Sequence, residues 1–153
     1  MKCYYLDASA LVKRYVDERG SEWIRAMMDS EEETLFFTSR MTIVEVISAF
    51  SRRVREGTLT VEDFASARDM FRSDCLDDYQ VMPPSLAVVD QACALLERYP
   101  LRAYDATHLA TAIGAQAFLT EKEYPPVTFL SADDDLNEAA KAEDLTVDNP
   151  NRH

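Results

Sequence analysis

The first fifteen residues, Met1–Tyr15, read MKCYYLDASALVKRY, and their order decides the fold. Cys3, Tyr4, Tyr5 and Leu6 form a short apolar and aromatic run that suits a central strand covered on both faces. Asp7 ends the run, and Ser9 is placed to cap a helix whose apolar positions Leu11, Val12, Tyr15 and Val16 recur at helical spacing. Lys13 and Arg14 precede Asp17 and Glu18 by one helical turn, the spacing of intrahelical ion pairs. The unit is therefore strand, Asp, helix. In an open α/β sheet the crevice outside the carboxyl ends of the strands binds ligands, so Asp7 is expected on that rim. An Asp at such a point can also serve only to cap the helix. What decides between the two is whether other acids join it.

A chain of 153 residues fits one domain with a proper core. No apolar run is long enough to span a membrane, and Asp7 interrupts the only apolar segment a signal peptide could use, so a cytoplasmic protein is expected. Cys3, Cys75 and Cys93 are odd in number and widely spaced in apolar settings, which predicts reduced core thiols and neither a disulfide framework nor a zinc site. The formal charge of -12 argues by itself against polyanion binding. It is unevenly spread, however. Arg40 to Arg55 holds four arginines against one acid, Glu45, whereas residues 57–97 hold eight acids and two bases. The basic segment suits phosphates, and the acidic one suits solvent or a cationic partner.

Farther along, Ser21 is placed to cap a helix with Trp23, Ile24, Met27 and Met28 on its buried side. Thr34–Ser39 reads as a strand, and a helix from about Met41 to Glu56 is stopped by Gly57. Glu45 shares a helical face with Met41, Ser48, Ala49 and Arg52, so it either points at the rim of Asp7 or pairs with an arginine. Thr60 and Asp63 open a long helix through Val61, Phe64, Ala67, Phe71 and Cys75. A strand over Tyr79–Met82 and a helix opened by Ser85, buried through Val88, Val89, Ala92, Cys93 and Leu96, follow. With glycine only at 20, 57 and 114 there is no phosphate-cradling glycine loop.

LRAYDATHLATAIG, Leu101–Gly114, predicts a helix buried through Ala106, Leu109, Ala110, Ile113 and Ala117. Asp105 lies off that stripe and shares a face with His108, which is read as a hydrogen-bonded structural residue. Val127–Leu130 predicts a buried strand, and Asp133, Asp134 and Asp135 follow it at the start of another helix, where capping needs only one of them. The closing strand is expected over Leu145–Val147, with a polar tail, residues 151–153, after the domain of residues 1–150.

YLDASALVK, the Glu of TIVEVISAF, LRAYDATHLATA and TFLSADDDL with a terminal NP together resemble the PIN-domain family, and within it the VapC-type toxins of toxin-antitoxin pairs. The likeness spans nearly the whole chain, and four motifs in this order are far more specific than any one. It implies a single α/β domain, a three-layer α/β/α sandwich around a mostly parallel sheet. It implies a metal site of Asp7, Glu45, Asp105 and Asp133, with Asp135 as a fifth acid and Ser9 as a polar companion. It further implies an RNA substrate, a small antitoxin partner and a homodimer; the helices of Ser21–Ser30 and Thr60–Leu76 are candidate contact surfaces, although core packing accounts for most of their large apolar side chains. Thr107 stands where an apolar residue is common in the family. Asp144 stands where a glycine commonly ends the last long helix, a left-handed position that Asp tolerates.

Elementary electrostatics agrees with that likeness. Clustered carboxylates repel, and oxygen-only ligands select a hard divalent ion, magnesium or manganese. The reaction expected is metal-dependent hydrolysis of an RNA phosphodiester, with Arg40, Arg52 and Arg102 guiding the backbone. Two other classes share features. A phosphatase would need a second Asp where this chain has Ser9, and a receiver domain a late lysine that is not evident. A non-catalytic interaction module on the same scaffold would have no reason to keep four acids.

Overall fold

All residues, Met1–His153, are described in the computed structural model of the chain. Its five strands are β1 (Lys2–Leu6), β2 (Thr34–Ser39), β3 (Tyr79–Met82), β4 (Val127–Leu130) and β5 (Thr146–Asp148). They pair in the order β3-β2-β1-β4-β5, and every pairing is parallel, so the sheet is wholly parallel. Parallel neighbours require crossovers, which the helices supply. These are α1 (Ala8–Tyr15), α2 (Ser21–Met28), α3 (Arg40–Arg55), α4 (Val61–Asp77), α5 (Leu86–Arg98), α6 (Ala103–Glu121) and α7 (Asp134–Ala142).

The pleat sorts side chains into two cores. Cys3 and Tyr5 of β1, Phe37 of β2 and Phe129 of β4 pack with Leu95, Leu109, Leu119 and Leu136 from α5, α6 and α7. Leu6, Phe36, Tyr79 and Leu130 face the other way, onto Leu11, Ile24, Phe50 and Phe71 from α1 to α4. The result is the α/β/α sandwich, a single α/β domain, with β1 at its centre. β2, β3 and β4 begin and end where the sequence predicts, while the closing strand starts one residue later than expected.

Several local expectations give way to tertiary contacts. Asp7, not Ser9, caps α1 by accepting from the Ala10 amide at 2.9 Å. Lys13 is buried and reaches Glu18 and the Arg19 carbonyl, Arg14 pairs with Asp29, and Asp17 pairs with Arg25. Gly20, not Ser21, precedes α2 with φ +84, and a Cβ there would sit 2.5 Å from the Pro150 carbonyl oxygen. Ser21 turns inward to donate to the Val16 carbonyl. On α5 the buried residues are Val88, Ala92 and Leu95, so Val89, Cys93 and Leu96 face outward and Cys93 is no core thiol. Helix α6 runs on to Glu121 and buries Ala115 and Leu119, leaving Ala117 outside. Asp144 adopts φ +62 after α7, as its place at the helix end predicts. The last residues form a 3-10 turn, Pro150–Arg152, and His153 stacks on Trp23 with ring centroids 4.1 Å apart.

A phenol cluster ties α1, α4 and β3 together. Tyr15 donates to Asp74 Oδ2 at 2.6 Å and shares a hydrogen bond with the Tyr79 hydroxyl, and its ring meets Phe50 and Phe71 edge-on. Burial above all raises the pKa of Tyr15 and Tyr79, as it does for the fully buried Tyr5. Groups whose folded pKa exceeds the unfolded value keep their full contribution below the unfolded value, about 10 for tyrosine, and lose it as the pH rises toward the folded one. Stability should therefore fall steeply in alkali. Tyr15→Phe is expected to make that fall shallower by up to about 1.4 kcal/mol per pH unit, one proton's share. Denaturant titrations at pH 8 to 11 measure it, and identical slopes for both proteins would refute the assignment.

Candidate active site

Two adjacent strand ends build the floor of the site. The Asp7 amide donates to the Leu130 carbonyl at 3.2 Å, which joins the end of β1 to the end of β4. The Asp7 side chain is 5 % exposed. Its Oδ1 accepts from Ser9 Oγ at 2.7 Å and from the Ala10 amide, and its Oδ2 accepts from Ser131 Oγ at 2.6 Å. Ser9 Oγ accepts in turn from the Ala132 amide at 2.9 Å. Burial raises the Asp7 pKa, and the opposing pull of His108, Ser131, Ser9 and the Ala10 amide does not cancel it.

Glu45 arrives from α3 on one face of the sheet and meets a histidine from α6 on the other. Its Oε1 lies 2.7 Å from His108 Nε2, while His108 Nδ1 lies 2.9 Å from the Tyr5 hydroxyl. Glu45 thus pairs with a histidine and not with the arginines of its own helix. His108 is hydrogen-bonded and buried, as a structural histidine should be. Burial disfavours its charged form, but the bond to Glu45 and the charges of Asp7, Glu45 and Asp105 outweigh that and raise its pKa.

The remaining acids are held locally. Asp105 in the first turn of α6 accepts from the Arg102 amide at 3.2 Å and from Arg102 Nε at 3.3 Å. Asp133 caps α7 through Oδ1, which accepts from the Asp135 and Leu136 amides. Asp134 is taken up by Asn149 and Arg152. Asp135 is exposed and lines a separate groove with Tyr99, Pro100 and Leu101.

A cleft of about 740 Å³ opens over this floor, lined among others by Ser9, Glu45, Ser48, Arg52, Arg102, Tyr104, Ala132 and Asn151. Of the arginines singled out in the sequence, Arg52 and Arg102 line it, and Arg40 is exposed outside it. Sequence reasoning missed Ser131, Asn151 and the lining pair Lys13 and Arg53, both bonded to Glu18. The helical spacing offers Lys13 an exposed ion pair within α1, whereas the helix ends at Tyr15 and the buried Lys13 pairs with Glu18 beyond it.

As the side chains stand, no three His, Cys, Asp or Glu residues close on one point that could hold a metal ion. The donor set is nevertheless of one chemical kind. Glu45 Oε2, Asp105 Oδ1 and Asp133 Oδ2 carry no hydrogen bond, and Asp7 is an anion buried at a cost. Carboxylate oxygens suit a hard divalent ion, so the residues fit magnesium or manganese in chemistry, and to share one ion their side chains would have to rotate toward it.

The fold and the cleft define an α/β domain with carboxylates at the carboxyl ends of a parallel sheet. The family model of the PIN domain matches residues 4–142, and the chain belongs to the PIN-domain family. It is 32% identical over 143 residues to a Mycobacterium tuberculosis protein named ribonuclease VapC35, covering 94% of this chain and 93% of that one. Among solved structures, VapBC2 from Rickettsia felis, bound to a DNA fragment from its promoter, matches with TM-score 0.62 and 14% identity over 96% of this chain and 98% of that one. VapC20 of Mycobacterium tuberculosis, a toxin that cleaves the sarcin-ricin loop, matches with TM-score 0.60 and 17% identity over 89% and 94%. At such identities the structures bear on the fold.

The raised pKa of Asp7 means that ionising it costs more in the native state than in the unfolded one, so at neutral pH its charge subtracts from stability. An Asn of the same shape still offers an oxygen to the Ala10 amide. Asp7→Asn is therefore expected to melt above the wild type in chelator. A lower melting temperature would show that capping and the two serine bonds outweigh the cost of the buried charge.

Proposed function

We propose that the chain is a metal-dependent endoribonuclease, the toxin of a toxin-antitoxin pair. The observation that carries the reading is the cleft itself, which Ser9, bonded to buried Asp7, and partly exposed Glu45 line together with Arg52 and Arg102. That pairing of acids with flanking cations suits a phosphodiester, whose backbone needs cationic contacts and whose hydrolysis needs hard oxygen ligands. The relative named ribonuclease VapC35, alike over nearly the full length, favours RNA over DNA.

Asp7, Glu45, Asp105 and Asp133 would hold the ion. When bound, magnesium or manganese supplies positive charge that polarises the phosphate and acidifies a water. The chain's own residues do the rest. Ser9 and Ser131 hold the Asp7 carboxylate in place. One of the carboxylates, Asp105 or Asp133, orients the attacking water. Water oxygen bonds to phosphorus as the bond to the 3′-oxygen breaks; the attacking water gives up its proton to solvent and the leaving 3′-oxygen takes one from solvent, which leaves a 3′-hydroxyl and a 5′-phosphate. Arg52 and Arg102 position the backbone, and Arg40 extends the path beyond the cleft. The partner is a small antitoxin, supported by the likeness to the Rickettsia VapBC2 complex, and the toxin itself is a homodimer acting in the cytoplasm. No helix is long and apolar enough to cross a membrane.

Purified protein should cleave RNA with magnesium or manganese, stop in chelator, and lose cleavage in Asp7→Asn. Undiminished cleavage in chelator would overturn the metal reading. Arg52 forms no ion pair, so Arg52→Ala removes one phosphate contact and little else. It should raise KM with kcat nearly kept and lower the salt dependence of binding by about one counterion. A fall in kcat at constant KM would place Arg52 at the reacting phosphate instead.

A further inference from the structure

The proposed chemistry makes no use of the histidine at the centre of the site. His108 is 3 % exposed, yet both ring nitrogens are engaged, Nδ1 by the Tyr5 hydroxyl at 2.9 Å and Nε2 by Glu45 Oε1 at 2.7 Å. The three residues come from the three layers of the sandwich: Tyr5 from the central strand, Glu45 from α3 on one face and His108 from α6 on the other. Tyr5 is immobile. Its side chain is fully buried, its ring stacks on Phe129 with centroids 5.5 Å apart, and the His108 ring meets it edge-on at 6.0 Å. The chain of contacts runs from this fixed point in the core to a carboxylate that lines the cleft.

We propose that His108 is a positioning residue that holds the Glu45 carboxylate in the cleft, with Tyr5 as its anchor in the core. The inference rests on the metal-site reading and says how that site is kept in order. A glutamate has several rotatable bonds, and Asp7 and Asp105 act on the same histidine, so Glu45 sits among like charges that favour its swinging away. A single hydrogen bond from a rigid ring prevents this. The Glu45 carboxylate only accepts, so Nε2 of the ring donates to it, and in the neutral ring Nδ1 accepts from the Tyr5 hydroxyl. Glu45 Oε1 is then committed to the histidine and Oε2 is kept for the ion. Hydrogen bonds that orient a metal ligand from behind are worth 10- to 100-fold in affinity, which separates this role from that of a histidine that merely fills and satisfies the core.

Calorimetric titration of manganese into full-length protein tests it, alongside melting in chelator and separate determination of kcat and KM. His108→Ala should weaken manganese binding by about 10- to 100-fold and lower kcat with the KM for RNA nearly unchanged. His108→Gln, whose amide can donate to Glu45, should recover most of that affinity, and Tyr5→Phe should lose part of it. A His108→Ala protein that melts lower but binds manganese like the wild type would overturn the inference and leave the metal reading intact. Wild-type protein that takes up no manganese would overturn both. If the alanine variant does not fold, His108→Asn, too short to reach Glu45, repeats the test with the same two outcomes.

Discussion

The buried charge of Asp7 is the constraint around which the other contacts of the site are arranged. Three groups donate to it, the Ala10 amide, Ser9 and Ser131, while the Asp7 amide separately ties the main chain to the Leu130 carbonyl. Such charge-assisted bonds are about twice as strong as neutral ones, and a helix N-terminus adds its own partial positive charge. Even so, burial wins and the Asp7 pKa rises. Stability alone would favour a neutral side chain at that position. What the bonds secure is geometry. They lock the start of α1, the end of β1 and the end of β4 into one knot, and α7 starts from that knot because Asp133, its cap, follows Ser131 by two residues and donates its amide to the serine's Oγ.

The two helical layers also depend on the rim, where they meet. Through most of the molecule the sheet separates them, and each has its own core. Past the strand ends nothing intervenes, and there Glu45 from one layer bonds to His108 from the other. The Asp7 knot and the Glu45 bond are accordingly neighbours, since His108 feels the charges of Asp7, Glu45 and Asp105 together.

The sequence made the strands legible almost to the residue because each is a short apolar run closed by a turn or a helix cap, as with TLFFTS before Arg40 and YQVM before Pro83. It placed the acids at strand ends and first turns for the same reason. It misjudged the phase of α5, since LAVVDQACALLER has apolar residues on every side and the pattern cannot choose which face goes in. Caps failed where a distant partner decides. Ser9 is drawn off toward Ala132, and Gly20 is demanded by the Pro150 carbonyl, far along the chain in both cases. The pairing of Glu45 was out of reach likewise, because His108 lies 63 residues away and Tyr5 a further 103 from it in the opposite direction. Helical spacing offers only neighbours as partners, and it pointed to the arginines instead.

The formal charge of -12 bears on the proposed function through its placement. Most acids between Gly57 and Glu97 are exposed on α4 and α5, whereas Arg52, Arg53, Arg102 and Lys13 line the cleft. Exposed charges separated by more than a Debye length, about 10 Å at 0.1 M salt, scarcely feel each other, so the cleft cations act on a bound phosphate largely through their own field. Their strength is unequal. Lys13 and Arg53 are spent on Glu18 and mainly hold α1 to α3, and Arg102 is shared with Asp105, which leaves Arg52 as the cation with its charge uncommitted. One uncommitted cation in the cleft gives only one phosphate contact, too few to hold a long polyanion by charge alone. On the proposed reading, the affinity for RNA must then come chiefly from the ion at the carboxylates, and a protein without it should bind RNA weakly even with its arginines intact.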